Sequence, residues 1–228
     1  TWPGARLKWK ALSLRCSTSC PTWLWVIAFG KPVVPEENIT HSGCWLSTRS
    51  YWKASGGTAG PDNASAQHSA SGTGGTGDWQ ACLDMDIKGA AFGVGTLTPH
   101  LEKSDTGSIV MMSSTAALET FIAPNPFNAM KAALITYASQ LSQAYAGKGI
   151  RVNTVSPGAI YYDGGNWEAI KGMMPELYEG VLAKMPMGRF GNDEEVAKAI
   201  VFVASPAVPY MTGSNIVVDG GFTQRVQF

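Results

Sequence analysis

The chain has 228 residues and a mass of 24.2 kDa, with 45% apolar and 15% charged residues, a composition that buries a large core and excludes a wholly disordered polymer. Its 17 basic and 17 acidic residues cancel, so it lacks the charge excess by which nucleic acid or an anionic membrane surface is recognised. The longest apolar stretch, Trp23–Phe29, is far short of the roughly 20 residues of a membrane-spanning helix, so a soluble protein with no membrane partner is expected.

Residues 1–78 stand apart from the rest. They hold six of the eight tryptophans and Cys16, Cys20 and Cys44, and they end in a Gly/Ser/Thr/Ala tract from Ala54 to Gly77. No Leu, Ile or Val occurs between Ser50 and Gly77, so no apolar periodicity supports a helix or strand there, and the tract reads as loop. Arg6, Lys8, Lys10 and Arg15 ahead of the apolar stretch have the outline of a secretory signal, but Pro21 and two cysteines interrupt it and no clean cleavage site follows. Cys16 and Cys20, with His41 and Cys44, lack a second ligand pair at zinc spacing, so no metal is expected. The formal glycosylation sequons at Asn38 and Asn63 are read as accidents of composition.

From Trp79 onward helix-like and strand-like segments alternate. Leu83, Ile87, Ala90, Val94, Leu97 and Leu101 recur at spacings of four and three, which predicts a helix closed by Gly107. Ser108–Met112 is a continuous apolar run of the length and character of a parallel strand covered on both faces. Pro126 marks a second helix start, with Met130, Leu134, Tyr137, Leu141 and Tyr145 as its apolar side and Gly147 and Gly149 as its end. Residues 150–155 form the next strand, stopped by Pro157 and Gly158. The stretch from Trp167 to Met185 is helical in tendency but carries Gly172, Pro175 and Gly180, and reads as a mobile flap. Asn192 and Glu195 open a capped helix whose buried side is Val196, Ile200, Val201 and Val203, and Asn215–Val218 is the last strand. Strand, helix, strand, helix, strand with short connections implies right-handed crossovers in a parallel sheet.

The ordered segments Asp86-Ile87-Lys88-Gly89, Ser113-Ser114, Lys131-Ala132-Ala133, Arg151-Val152-Asn153, Ser156-Pro157-Gly158, Thr212-Gly213 and Val218-Asp219-Gly220-Gly221 resemble the C-terminal half of the classical short-chain dehydrogenases/reductases. The resemblance spans about residues 79–224 and implies an α/β, doubly wound parallel sheet of Rossmann type, here with an atypical or disrupted N-terminal half. It divides the chain into an atypical segment, 1–78, in place of the usual dinucleotide-binding half, and the C-terminal half of the domain, 79–228. It also implies hydride transfer between NAD or NADP and a small alcohol or carbonyl compound, a cytoplasmic location and a homotetramer, with no nucleic-acid partner and no metal.

The same resemblance assigns the site. Ser114 matches the family serine that holds the substrate oxygen. Lys131 matches the lysine that binds the nicotinamide ribose and lowers the pKa of a tyrosine four residues earlier. Residues at i and i+4 share a helix face, so an ammonium there favours a phenolate. Pro157, Gly158 and Ile160 match the backbone that meets the nicotinamide. Two positions depart from the family. The tyrosine is Phe127, which has no proton to exchange, and the family asparagine of the preceding helix is Asp86. Tyr161 and Tyr162 follow the Pro157-Gly158 turn and are alternative phenols, although loop packing explains them equally.

The family's glycine-rich phosphate turn and its Asn-Asn-Ala-Gly segment are missing. Gly72–Gly77 and Gly56–Gly60 are glycine-rich but follow no strand, and read as flexible tracts. Abrupt loss of pattern with excess Trp, Cys, Arg, Gly and Ser is what a shifted reading frame of a GC-rich gene produces, and residues from about 5 to 77 are expected to have that origin. The start at Thr1 is read as the mark of a truncated or processed product. A remaining half-sheet with no added strands would leave a sheet edge open.

Overall fold

A computed structural model describes residues 26–29, 76–120 and 123–226 of the chain. Four strands form one sheet in the order β1 (Val26–Phe29), β2 (Ser108–Met112), β3 (Arg151–Pro157) and β4 (Asn215–Val218). The last three are parallel, with Ser108 opposite Arg151 and Thr154 opposite Asn215. β1 runs against them, placing Val26 opposite Met111 and Phe29 opposite Ser108. The open edge expected beside β2 is therefore corrected: a short antiparallel strand from the atypical segment takes up its backbone groups, as an apolar run next to an unpaired edge is apt to do.

Alternation along β2 sorts the core into two layers. Ile109 and Met111 pack with Val152 against one set of helices, whereas Val110 and Met112 pack with Val155 against another. On the first face lies a long rod made of α1 (Thr76–Cys82), a π-helical turn (Leu83–Lys88) and α2 (Gly89–Leu101), together with α3 (Pro126–Ala146). On the second face lies α6 (Asp193–Ala204). Helices on both faces of a mainly parallel sheet make the doubly wound architecture that the alternating pattern predicts.

The rod's buried row differs from its predicted one in the first half. Cys82 and Asp86 are buried in line with Ala90, Val94, Leu97 and Leu101, whereas Leu83 and Ile87 are only partly covered. The wider π turn is the cause, because it rotates the face one residue out of the phase set by α2 and swings Asp86 inward. α3 starts at Pro126 as predicted, with the Asn125 side chain accepting the Asn128 amide at 3.0 Å. Its buried row includes Lys131 and Ala138, while Met130 and Tyr137 are half-buried. At the start of α6 the Asn192–Glu195 capping box is present in full, but Val201 faces outward rather than into the core.

Residues 166–185 are packed, which corrects the expectation of a mobile flap. They form α4 (Asn166–Met173) and α5 (Pro175–Leu182) around a third apolar cluster of Ala159, Trp167, Ile170, Tyr178, Val181, Met185 and Phe190. Trp167 stacks on Phe190 with ring centroids 4.9 Å apart. The Arg151-Val152-Asn153 segment is structural. Arg151 donates to the carbonyls of Val203, Ala204, Ser205 and Met211 at 2.9–3.2 Å, closing the end of α6. Asn153 donates to the Met211 carbonyl and accepts from the Ser214 amide, which fixes the approach to β4.

Candidate active site at the carboxyl ends of β2 and β3

β2 ends at Met112 and its direction continues into Ser113, whose amide donates to the Val155 carbonyl at 2.8 Å. The two serines then diverge in role. The Ser113 hydroxyl donates to the backbone carbonyl of Lys131 at 2.8 Å and so pins α3 against the strand end. The Ser114 oxygen accepts from the Ala116 amide at 3.2 Å and caps a single 3-10 turn, Thr115–Ala117. That contact uses one of the hydroxyl's lone pairs and not its proton.

Lys131 projects from the buried side of α3 to the same place. Its Nζ donates to the Met112 carbonyl at 3.3 Å and to Asp86 Oδ1 at 2.9 Å, with the lysine and aspartate side chains 4% and 9% exposed. The Phe127 ring, one turn earlier on α3, lies with its centroid 5.4 Å from that nitrogen, a cation–π contact. Of the four residues expected at the site, Asp86 and Phe127 thus both meet Lys131. The fourth, Ser114, follows directly on Met112 and Ser113, which both bond to Lys131.

One participant had no signal in the sequence reading. Cys82, one turn before Asp86, is a buried free thiol, and burial followed by the nearby Asp86 carboxylate pushes its pKa up to about 11, against the opposing charge of Lys131. Spacing of four along the rod could have indicated that it shares Asp86's face.

β3 supplies the other wall. Gly158 follows its last residue, Pro157, and donates to the Val218 carbonyl at 3.0 Å. A Cβ placed on Gly158 would fall 2.7 Å from the Asp219 Cβ, so only glycine permits this approach. Ile160 forms an isolated parallel bridge with Gly191, whose bonds run from the Gly191 amide to the Ala159 carbonyl at 3.1 Å and from the Tyr161 amide to the Gly191 carbonyl at 2.8 Å. In a parallel bridge of this kind the central residue's own N–H and C=O point away from its partner, so those of Ile160 are directed away from Gly191.

The two candidate substitute phenols are engaged in packing. The Tyr161 ring meets Tyr178 edge-on at 6.3 Å and lies 5.7 Å from Lys171 Nζ, and Tyr162 is covered by the backbone of Gly165. Both rings are thus held by packing at their loop. Of the tract at 72–77, only Thr76 and Gly77 are described, in the first turn of α1. Gly56–Gly60, the cysteines and histidine weighed as zinc ligands, and both sequons lie outside the described residues. Among the described residues there is no cluster of three or more metal-ligating side chains, and no helix is long and apolar enough to cross a membrane.

Comparison with known proteins shows what the chain as a whole is similar to. A family model described as Enoyl-(Acyl carrier protein) reductase matches residues 62–223, beginning ahead of the compositional boundary at 78. The chain is 39% identical over 167 residues to isoepoxydon dehydrogenase of Aspergillus clavatus, covering 73% of this chain and 63% of that protein. Among solved structures it is similar to ElxO with bound NADP, at a TM-score of 0.60 and 29% identity over 65% of this chain and 59% of that one. A tyrosine-to-phenylalanine variant of ElxO with bound NADPH gives a TM-score of 0.60 at 30% identity, over 65% of this chain and 59% of that one. A 3-oxoacyl-(acyl-carrier protein) reductase of Brucella melitensis with bound NAD gives a TM-score of 0.57 at 27% identity, over 65% of this chain and 53% of that one. The chain spans less than two thirds of the length of these relatives.

Proposed function

The chain belongs to the short-chain dehydrogenase/reductase family, and from that premise we propose that it is an NAD- or NADP-dependent oxidoreductase acting on a small alcohol or carbonyl compound. The observation that carries this reading is the meeting of Lys131 with Phe127, Ser113 and the Met112 carbonyl, next in sequence to Ser114, at the carboxyl ends of adjacent parallel strands, the position at which open α/β sheets bind ligands.

The nicotinamide end of the cofactor fits the residues present. The close approach at Gly158 and the backbone of Ile160 lie just past the end of β3, and Lys131 bonds to the end of the neighbouring strand β2. Lys131 would hold the ribose, and Gly158 and Ile160 would hold the ring. When bound, the nicotinamide supplies the hydride chemistry. The chain's own part is to orient the substrate oxygen through the Ser114 hydroxyl proton. Phe127 has no proton to give, so the proton has to come from a donor other than position 127. Loss of a positioned general acid typically costs about 10²–10⁴-fold in rate, and turnover correspondingly lower than in a tyrosine-bearing relative is expected.

Titration with NADH and NADPH, followed by cofactor fluorescence, tests the reading, together with reduction of a panel of small ketones before and after Phe127→Tyr. Binding of one cofactor and a rise in turnover in the variant support it. Failure to bind either cofactor at millimolar concentration overturns it. A second reading, a catalytically silent subunit or scaffold of the same fold, is favoured by the replacement at Phe127 and by the engagement of Lys131 with Asp86. In that case cofactor binding persists while the Phe127→Tyr chain stays silent. The domain reading, in which residues 1–78 stand in for a dinucleotide-binding half, the cytoplasmic location and the homotetramer belong to this proposal as well. Light scattering on the purified chain tests the tetramer.

A further inference from the structure

Three groups converge where the rod, α3 and β2 meet: the carboxylate of Asp86, the ammonium of Lys131 and the ring of Phe127. The ion pair is 2.9 Å long and its side chains are almost wholly buried. Lys131 also donates to a main-chain carbonyl of β2. Two opposite charges this close act on a third group as a dipole, whose field falls off faster than that of a lone charge. Among the described residues, the titratable groups beside the pair are Cys82 on α1, whose burial and proximity to Asp86 hold it as the neutral thiol, and Asp78, which acts on that thiol from the preceding turn; neither of these two supplies a second positive charge.

We propose that Asp86 is a positioning residue that closes Lys131 into a buried ion pair and thereby withdraws its charge from position 127. This rests on the reading of Lys131 as the site lysine. Its consequence is specific: restoring a phenol at position 127 does not by itself restore an acidic phenol, because the nearby ammonium is already neutralised. An amide at position 86 keeps an oxygen acceptor for Lys131 but removes the opposing charge, and leaves the ammonium to act on the ring.

The test reads the phenol directly and needs neither cofactor nor substrate, so it stands or fails apart from the oxidoreductase assignment. The chain is prepared with carbon-13 in the tyrosine rings as Phe127→Tyr and as Phe127→Tyr with Asp86→Asn, and the added resonance is followed against pH. In the single variant the new phenol is expected to titrate near the ordinary value of about 10. In the double variant it is expected at least one unit lower, as for an acid beside a cation from which the Asp86 charge has been removed. A single-variant phenol already lowered by a unit or more overturns the proposal, and this measurement suffices if the double variant does not fold. An unchanged phenol in a folded double variant overturns it equally. Asp86→Glu, which preserves the charge, should leave the phenol where the single variant has it, an outcome that a merely space-filling role for position 86 does not require.

Discussion

Asp219, just past the end of β4, stands so close to Gly158, just past the end of β3, that a methyl on the glycine would lie 2.9 Å from the Asp219 Cα as well as 2.7 Å from its Cβ. The aspartate cannot retreat freely, because its two oxygens accept from the amides of Gly221 and Thr223 and from the Thr223 hydroxyl at 2.7–2.9 Å. Gly158→Ala must therefore move backbone on both sides of the proposed nicotinamide wall. Overpacking of this kind costs about 1–3 kcal/mol. Urea denaturation of the variant checks it, and a stability unchanged from the parent would contradict the geometry.

The Asp86–Lys131 pair predicts a non-additive pattern of stability. Lys131→Met leaves a buried carboxylate without its cation and is expected to destabilise the fold by about 3–5 kcal/mol, whereas Lys131→Met combined with Asp86→Leu should recover most of the loss. Denaturation midpoints of both single variants and the double variant measure the coupling. Equal and additive losses would show that the two groups do not act as a pair.

Arg151 replaces solvent for four carbonyls around the end of α6, and burial lowers its pKa from the usual guanidinium range. Arg151→Met keeps most of the stem's packing and removes the donors. A loss of about 2–3 kcal/mol is expected, in line with hydrogen bonds from a charged donor. Faster amide exchange confined to the α6 end and the approach to β4 would locate the effect, and uniform exchange across the fold would argue against it.

Two groups set opposite pH limits. Glu195 is held at about 2, down from 4.5, first by its bonds with Arg189 and then by the Asn192 amide. Its folded-state pKa is depressed, so its contribution is present above the ordinary carboxylate range and is lost as pH falls towards 2; Arg189→Gln should move its NMR titration back towards 4.5. Cys82 is raised from 9.0 to about 11, so the benefit of its neutral thiol is complete below pH 9 and disappears as pH rises through 11. Alkylation by iodoacetamide should stay slow at pH 8–9 and should quicken with Asp86→Asn, which removes the second cause of the rise.

Several elements after residue 78 were legible because their signals are local, whereas the packed pair α4 and α5 was not, since Gly172, Pro175 and Gly180 mask the contacts that Trp167 and Tyr178 make with Phe190. Pro126 at a first helical turn, the Asn192–Glu195 box and the unbroken apolar run at Ser108–Met112 each carry their own structural cause within a few residues. Proximity of Lys131 to position 127 follows likewise from four-residue spacing on one helix.

What tertiary structure alone decided involves partners distant in the chain. Lys131 is buried in a row that hydropathy assigns to Met130 and Tyr137, since its neutralising carboxylate lies 45 residues away. Asp86 reaches it only because a π turn shifts the phase of the rod, and no side-chain period announces such a turn. β1 runs antiparallel beside β2 because the direction of an edge strand depends on where the chain returns to the sheet, not on its own residues. Residue spacing thus determined where most helices and strands begin and end, while the exact helix faces and the charge balance at the site were determined by long-range packing, since an ion pair is made across space and leaves no period in the sequence.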